Sequence, residues 1–319
     1  MPPGYRLPEW IFEAGIGESR AALVEGDRIL EAVIETHAAL RLGTVARARL
    51  VELTPGGMGR LAIGGEEAVI ARIPPGVTKG ATLTVSIVRE AIPEPGRAKP
   101  ARAQATDAAE GSGPDLHQRI VATGLPVRTL RAHEPDVLEA AGWSELLEEA
   151  SGGQIGFPLG ALRLSPTPAM TLFDVDGPPP LDALAVAAAR AVAAAIRRHG
   201  IGGSIGIDFP TLEGKAARAA VAAAIDAALP PPFERTAVNG FGFLQIVRPR
   251  PRPSIPEIVR SDPTAAASRA LLRRLEREPP GAPLHHRVSA AVRARLLAHP
   301  DWLAELARRT GVTHRLDPA

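Results

Sequence analysis

At 319 residues, with 45% hydrophobic and 23% charged residues and a formal net charge of +2, the chain has the make-up of a globular protein of two or three domains. No window approaches 18 uncharged apolar residues and no basic-then-apolar stretch opens the chain, so neither a membrane span nor a secretion signal is expected, and a cytoplasmic location is. With no cysteine there is no disulfide, no thiolate zinc site and no cysteine nucleophile.

Positive charge is carried almost wholly by arginine, since Lys79, Lys99 and Lys215 are the only lysines. Arginine stays protonated far above neutrality, and Tyr5 is the only tyrosine, so a pI of ≈ 9.5 follows from a small net charge. A polyanionic partner must be judged from where the arginines cluster.

In chain order, Ala21–Val24 and Ile29–Ile34 flank Glu25-Gly26-Asp27-Arg28 and predict an antiparallel hairpin. Thr44–Leu50, Gly59–Ile63, Glu67–Ile73 and Thr82–Arg89 follow as short β runs. Pro55-Gly56-Gly57, Gly64-Gly65 and Pro74-Pro75-Gly76 separate them, a spacing that suggests a small barrel or sandwich. Residues 93–114 lack any apolar period and are rich in Pro, Ala and Gly, so they read as a flexible linker or long loop. From 154 to 248 the pattern is β-β-β-α-β-α-β-β, which predicts a sheet with helices on a face. Its helices are Leu181–His199, stopped by Gly200, and Glu213–Leu229; Asn239-Gly240 marks a hairpin before Phe243–Arg248. Beyond Pro253 the tail is mostly helical, over 265–278, 287–298 and 301–309.

Two carboxylates stand out by position. Asp174 and Asp208 each end an apolar strand, and one helix separates the strands. A strand-helix-strand crossover makes such strands parallel and usually adjacent, so both acids emerge at the sheet end where ligands bind. Two neighbouring acids call for a cation, and oxygen ligands suit Mg²⁺ or Mn²⁺. Asp176, two residues on, points the same way and would complete the set. The same residues equally read as turn or helix-capping acids. The run from Arg235 to Arg260 holds Arg248, Arg250 and Arg252 in an extended Arg-Pro-Arg-Pro-Arg stretch. Such a stretch presents charge to phosphates or to solvent, or discourages strand aggregation at an edge. The histidines read as structural: the neighbours His285 and His286 would face opposite sides of a strand, and His117, His133, His299 and His314 have no ligand-spaced partner.

Several blocks, in order, resemble the ribonuclease E/G family, the single-strand RNA endonucleases of bacteria. Residues 22–28 through Ile34-Glu35 resemble its opening hairpin, and Ser151-Gly152-Gly153-Gln154-Ile155 its SGGSI. Phe173-Asp174-Val175-Asp176 resembles IDIN or IDVN, and Gly202–Phe209 resembles GGLIVIDF. Gly242–Arg250 resembles FGLLEMSRQR, and Pro253-Ser254-Ile255 resembles PSL. The resemblance implies an α+β multidomain protein with an N-terminal hairpin region over 1–42 and an OB-fold-like RNA-binding barrel over 43–92. Past the linker it implies a DNase-I-like catalytic core over 115–262 and a small, mostly helical C-terminal domain over 263–319. The implied activity is Mg²⁺-dependent hydrolysis of single-stranded RNA, in processing or decay, with Asp174 and Asp208 as metal ligands and Asp176 beside them. Arg248, Arg250 and Arg252 would contact RNA, together with Arg47 and Arg49 on the barrel.

The departures shape the expectation. Asp176 stands where the family has Asn, and Gly177-Pro178-Pro179-Pro180 replaces a polar run ending in Arg-Ala-Thr. A catalytically weakened RNA-binding protein on the same scaffold is therefore the alternative, and a Pro-rich structural interaction module a third. Ser261-Asp262-Pro263 lies near the place of the family's Cys-Pro-x-Cys zinc link, so no zinc is expected and any oligomer is not zinc-linked. Most of the segment that reads a 5′-monophosphate is missing, which predicts no strong 5′-end dependence. Residues 13–142 contain no Phe, Trp or Tyr, so the barrel would bind through Arg47, Arg49, Arg60 and Arg72 rather than by stacking.

Overall fold

The computed structural model describes residues 7–36, 40–54, 56–94, 96 and 98–319. Strands β1 (Glu9–Ala14), β2 (Glu18–Glu25) and β3 (Arg28–Thr36) form an antiparallel meander whose β2–β3 turn is the expected one, with Glu25 opposite Arg28. Gly26 takes φ +63° there with open space where a Cβ would be, so the backbone and not packing selects glycine.

Next comes a closed barrel of β4 (Val45–Thr54), β5 (Met58–Ile63), β6 (Glu66–Ile70), β7 (Thr82–Arg89) and β8 (Ala101–Ala105), in the order β4-β5-β6-β8-β7. Gly56 and Gly57 turn the chain between β4 and β5 with φ of 87° and 77°, and Pro55 lies outside the described residues. β8 corrects the linker reading of 93–114. It pairs parallel with β6 and antiparallel with β7, and it puts Ala101 and Ala103 into a core with Leu50, Leu61, Ile70 and Ile87. Its signal is faint because the inward residues are alanines, which barely register as apolar against Arg102 and Gln104.

The domain boundary expected near 115 also shifts. α1 (Leu116–Val121), β9 (Val127–Thr129), α2 (Val137–Ala140) and α3 (Trp143–Gly152) complete the N-terminal sheet rather than the second one. β9 joins β1 in parallel, giving the order β3-β2-β1-β9. α1 covers one face through Leu116 and Ile120 against Trp10 and Phe12, while α3 covers the other through Trp143 and Leu146 against Ile11 and Ile34. The three-stranded meander is apolar on both faces, so residues 7–36 recruit these later elements to cover them.

The second sheet takes β10 (Gln154–Phe157), β11 (Gly160–Pro166), β12 (Thr171–Asp176), α4 (Leu181–Arg198), β13 (Gly203–Asp208), α5 (Lys215–Ala228), β14 (Glu234–Arg235) and β15 (Phe243–Arg248). The expected β-β-β-α-β-α-β-β order is present, in a six-stranded mixed sheet β10-β11-β12-β13-β15-β14. Leu162, Leu164, Phe173, Ile205, Ile207, Leu244 and Ile246 pack on α4 and α5, whose buried stripe is largely alanine. Alanine favours helix and lets the backbone approach the sheet closely. α4 also packs on β3, and Arg197 holds Glu31 there at 2.6 Å.

The tail is helical as expected, with α6 (Ile255–Ser261), α7 (Pro263–Glu276), α8 (Ala290–Leu297) and α9 (Pro300–Thr310). Ser254 and Glu257 form a capping box at α6, and the Asp262 side chain caps α7. Two short strands, β16 (His285–Val288) and β17 (Arg315–Pro318), pair in parallel, which local pattern does not announce. Ile16 from the β1–β2 turn enters the core of this last unit with Leu272, Leu275 and Leu306, and Gly17 lies against Trp302. The chain is thus a mixed α+β protein with a five-stranded closed barrel, and among the described residues no helix is long and apolar enough to cross a membrane.

Candidate functional site

The β12–α4–β13 crossover makes β12 and β13 adjacent and parallel, with Phe173 beside Ile207 and Asp174 beside Asp208. Neighbouring strands lie about 4.8 Å apart, so the two acidic residues are held side by side by main-chain hydrogen bonds. Side chains alternate across a sheet. Phe173, Val175, Ile205 and Ile207 therefore face α4 and α5, and Asp174, Asp176 and Asp208 face the side that carries no helix. All three acids are exposed. No cation of a described residue comes within 4.0 Å of Asp174 or Asp208.

Asp176 lies on the same face, opposite Ala161. It does not join a three-ligand cluster: among the described residues the only three such groups within 4.8 Å of one another are Glu278, His286 and His314. The three acids share one face without their ligand atoms all lying within 4.8 Å of one another. Gly177 follows, where a Cβ would lie 2.6 Å from Leu184 Cδ1 and 2.7 Å from Leu159 O. The Gly-Pro-Pro-Pro replacement is a tight passage from β12 into α4.

Residues beside the acids complete the open face. Arg163 on β11 is the register partner of Asp174 and is exposed, with the helix-facing Leu162 and Leu164 on either side. Phe243 on β15 is the register partner of Asp208. Gly206 lies beneath Phe243, Leu172 and Met170; a Cβ there would be 2.7 Å from Phe243 Cζ. At the adjoining loop Asn239 Oδ1 accepts from the Phe241 and Phe243 amides at 2.9 and 3.0 Å, and Phe241 is left 86% exposed. An aromatic ring held that far into solvent beside an acidic pair is suited to stacking on a flat apolar ring. Sequence reading singled out neither Arg163 nor Phe241. Alternation along Ala161–Leu164 was the available signal for the first, and the Asn239-Gly240 turn for the second.

The Arg-Pro stretch departs from its expected role. Arg250 is ion-paired with Glu257 and lies 3.9 Å from Glu94, while Arg252 Nε lies 3.3 Å from Glu90. Glu90 N also donates to Pro251 O at 2.9 Å. The stretch turns its charges into the seam between barrel and sheet, where Glu257 on α6 and Glu90 and Glu94 at the barrel supply carboxylates. Arg248 falls on the helix side of β15 by alternation, and burial pushes its pKa down, Glu31 opposing. Burial acts likewise on Arg252, reinforced by Arg119 and opposed by Glu90.

Further arginines lie around the barrel, where the paired Arg250 also reaches. Arg89, Arg102 and Arg250, with Arg72, line a cleft of ≈ 680 Å³ between the barrel and the Arg-Pro segment. Burial, then Arg102 and Arg250, push the Arg89 guanidinium down, with Glu94 the opposing carboxylate. Excess positive potential in a cleft attracts phosphate. Arg47 and Arg49 are both exposed on the outer face of β4, next to Thr84 and Thr82 on β7. Arg60 is held by Glu52 at 3.2 Å. Comparison with known proteins finds no matching family model and no similar curated protein.

Proposed function

We propose that the chain is a metal-dependent endoribonuclease acting on single-stranded RNA, on a shortened ribonuclease E/G-like scaffold. The observation that carries this reading is the register pairing of Asp174 with Asp208 on an open sheet face. The barrel supports an OB-fold reading: it has five strands, and the last one is inserted between the third and fourth. The two-layer sheet with its acids at the carboxyl ends of parallel strands supports the DNase-I-like reading of the core.

The donor set fits a hard divalent cation. Two adjacent carboxylates that lack a protein cation offer oxygen ligands only, which Mg²⁺ or Mn²⁺ accepts and softer ions do not favour. Asp174 and Asp208 would hold the ion, which when bound supplies charge stabilisation for a phosphate and acidifies a water. Arg163, next to Asp174, is placed to orient a phosphate oxygen, and Phe241 to stack on a neighbouring base.

The test is cleavage of an end-labelled single-stranded RNA by purified protein, with Mg²⁺ or with EDTA, beside Asp174→Asn and Asp208→Asn. Cutting that needs the metal and disappears in both variants supports the enzyme. Tight binding without cutting supports the weakened RNA-binding protein, a reading favoured by the outlying Asp176 and the Gly177–Pro180 passage. Protein that neither binds nor cuts RNA at low salt refutes both. A second arm compares 5′-monophosphate and 5′-triphosphate RNA, for which similar rates are expected.

A further inference from the structure

We infer that Glu278, His286 and His314 form a binding site for one transition-metal ion, zinc foremost, that ties the C-terminal domain together. The site is independent of the acidic pair on the second sheet. Its three residues come from separate segments: Glu278 just beyond α7, His286 within β16, and His314 just before β17. Parallel pairing of β16 with β17 sets His286 beside Leu316 and so brings His314 alongside. This corrects the sequence reading, which left His314 without a ligand-spaced partner; the spacing of 28 residues is closed only by that pairing.

The geometry is that of an ion cage rather than of a satisfied hydrogen-bond network. His286 Nε2 lies 3.0 Å from His314 Nδ1 and 3.7 Å from Glu278 Oε2. Tetrahedral zinc with bonds of about 2.0–2.1 Å holds its ligand atoms about 3.3 Å apart, a spacing that these two distances bracket. A neutral pair of imidazoles shares one proton between two nitrogens and leaves the carboxylate with nothing. Glu278 Oε2 is indeed buried without a hydrogen-bond partner. The His286 side chain is 10% exposed and that of Glu278 23%, so the cluster is half-buried at the edge of a cleft. A cation at the centre satisfies both facing nitrogens and the carboxylate oxygen at once.

The chemistry selects the ion. Two imidazoles and one carboxylate suit Zn²⁺, with Co²⁺ as a spectroscopic stand-in, and do not suit Mg²⁺. Glu278 and His314 also line a cleft of ≈ 880 Å³ with His133, Glu134 and Arg277, which leaves a fourth position open to water. The domain needs such a tie, because its core is small and its two-stranded sheet is among the least self-sufficient of structures. The expectation of no zinc rested on the missing cysteines; this site uses none.

The full chain, stripped with a chelator and dialysed, is titrated with Co²⁺ and then Zn²⁺. One equivalent of Co²⁺ is expected to develop visible d–d bands that Zn²⁺ abolishes, and Zn²⁺ to raise the melting midpoint by several degrees. Both effects should vanish in His286→Gln/His314→Gln and persist in Asp174→Asn/Asp208→Asn. Absence of a stoichiometric Co²⁺ spectrum in the unsubstituted chain overturns the proposal without reference to any variant. So does a spectrum lost with the aspartates and kept without the histidines. Far-UV circular dichroism and the milder Glu278→Gln variant, expected to weaken zinc binding at least tenfold, guard against misfolding; unchanged affinity in a folded Glu278→Gln removes that residue and sinks the site as described.

Discussion

Asp174 and Asp208 are neighbours because backbone hydrogen bonds between β12 and β13 put them there, not because their side chains attract. Their substitution by Asn should therefore remove metal-dependent cleavage while leaving the melting midpoint unchanged or raised, since a like-charge pair is relieved. Arg163→Ala should lower kcat/KM for RNA by roughly ten- to a hundredfold, a loss of about 1.4–2.7 kcal/mol of transition-state stabilisation, with thermal stability within about 0.5 kcal/mol of the parent. Gly206 is different in kind. A valine there would displace the Phe243 ring and Leu172 and should cost roughly 1–3 kcal/mol in urea denaturation, by overpacking. Asp136 contributes to the pH dependence of stability. Burial pushes its carboxyl up, but Arg20, the Glu139 amide and Arg277 outweigh that and hold it below 3.8. A depressed carboxylate stabilises the fold above its unfolded pKa and loses that contribution as pH falls through the folded value. Asp136→Asn should thus lower stability at pH 7 and flatten the acid limb below pH 4, read by chemical denaturation at a series of pH values.

Elements differ in how far local pattern defines them. α4 and α5 are recognisable by composition and by their ends, and their alanine stripe is what lets two helices lie close on one sheet face. β8 is at the other extreme. Its backbone closes the barrel, yet its inward side chains are only those of Ala101, Ala103 and Ala105. Ala103→Asn should place an unpartnered amide inside the barrel, at a cost of roughly 2 kcal/mol or more, and limited proteolysis should then cut within residues 98–106 before the rest of the chain.

The whole molecule is tied together by buried charge. Glu18 on β2 holds Arg269 at 2.7 Å and is paired with Arg273, both on α7, while Glu13 on β1 pairs with Arg20 and Arg277. Glu18 is 3% exposed. Removing it leaves two guanidinium groups buried without their partner, so Glu18→Ala should cost about 3–5 kcal/mol and loosen the C-terminal unit first. Hydrogen exchange that rises earliest in α7 and α9 would show this order of events. The same logic explains why the Arg-Pro stretch is not a free cationic arm: Glu257 on α6 pairs with Arg250, and Glu90 on the barrel side lies against Arg252.

The amino-acid sequence by itself determined the local elements: the hairpin, the first four barrel strands, the alternation of strand and alanine-rich helix, and the strand-end position of Asp174 and Asp208. Each depends on residues close together in the chain, where periodicity and turn chemistry act. Tertiary structure alone decided the rest. It chose which sheet face carries the acids, left Asp176 outside the cluster, folded Arg250 and Arg252 inward, recruited α1 to α3 to the first sheet, and brought His286 to His314. These outcomes depend on partners tens or hundreds of positions away, whose proximity is created by packing and is written in no local spacing.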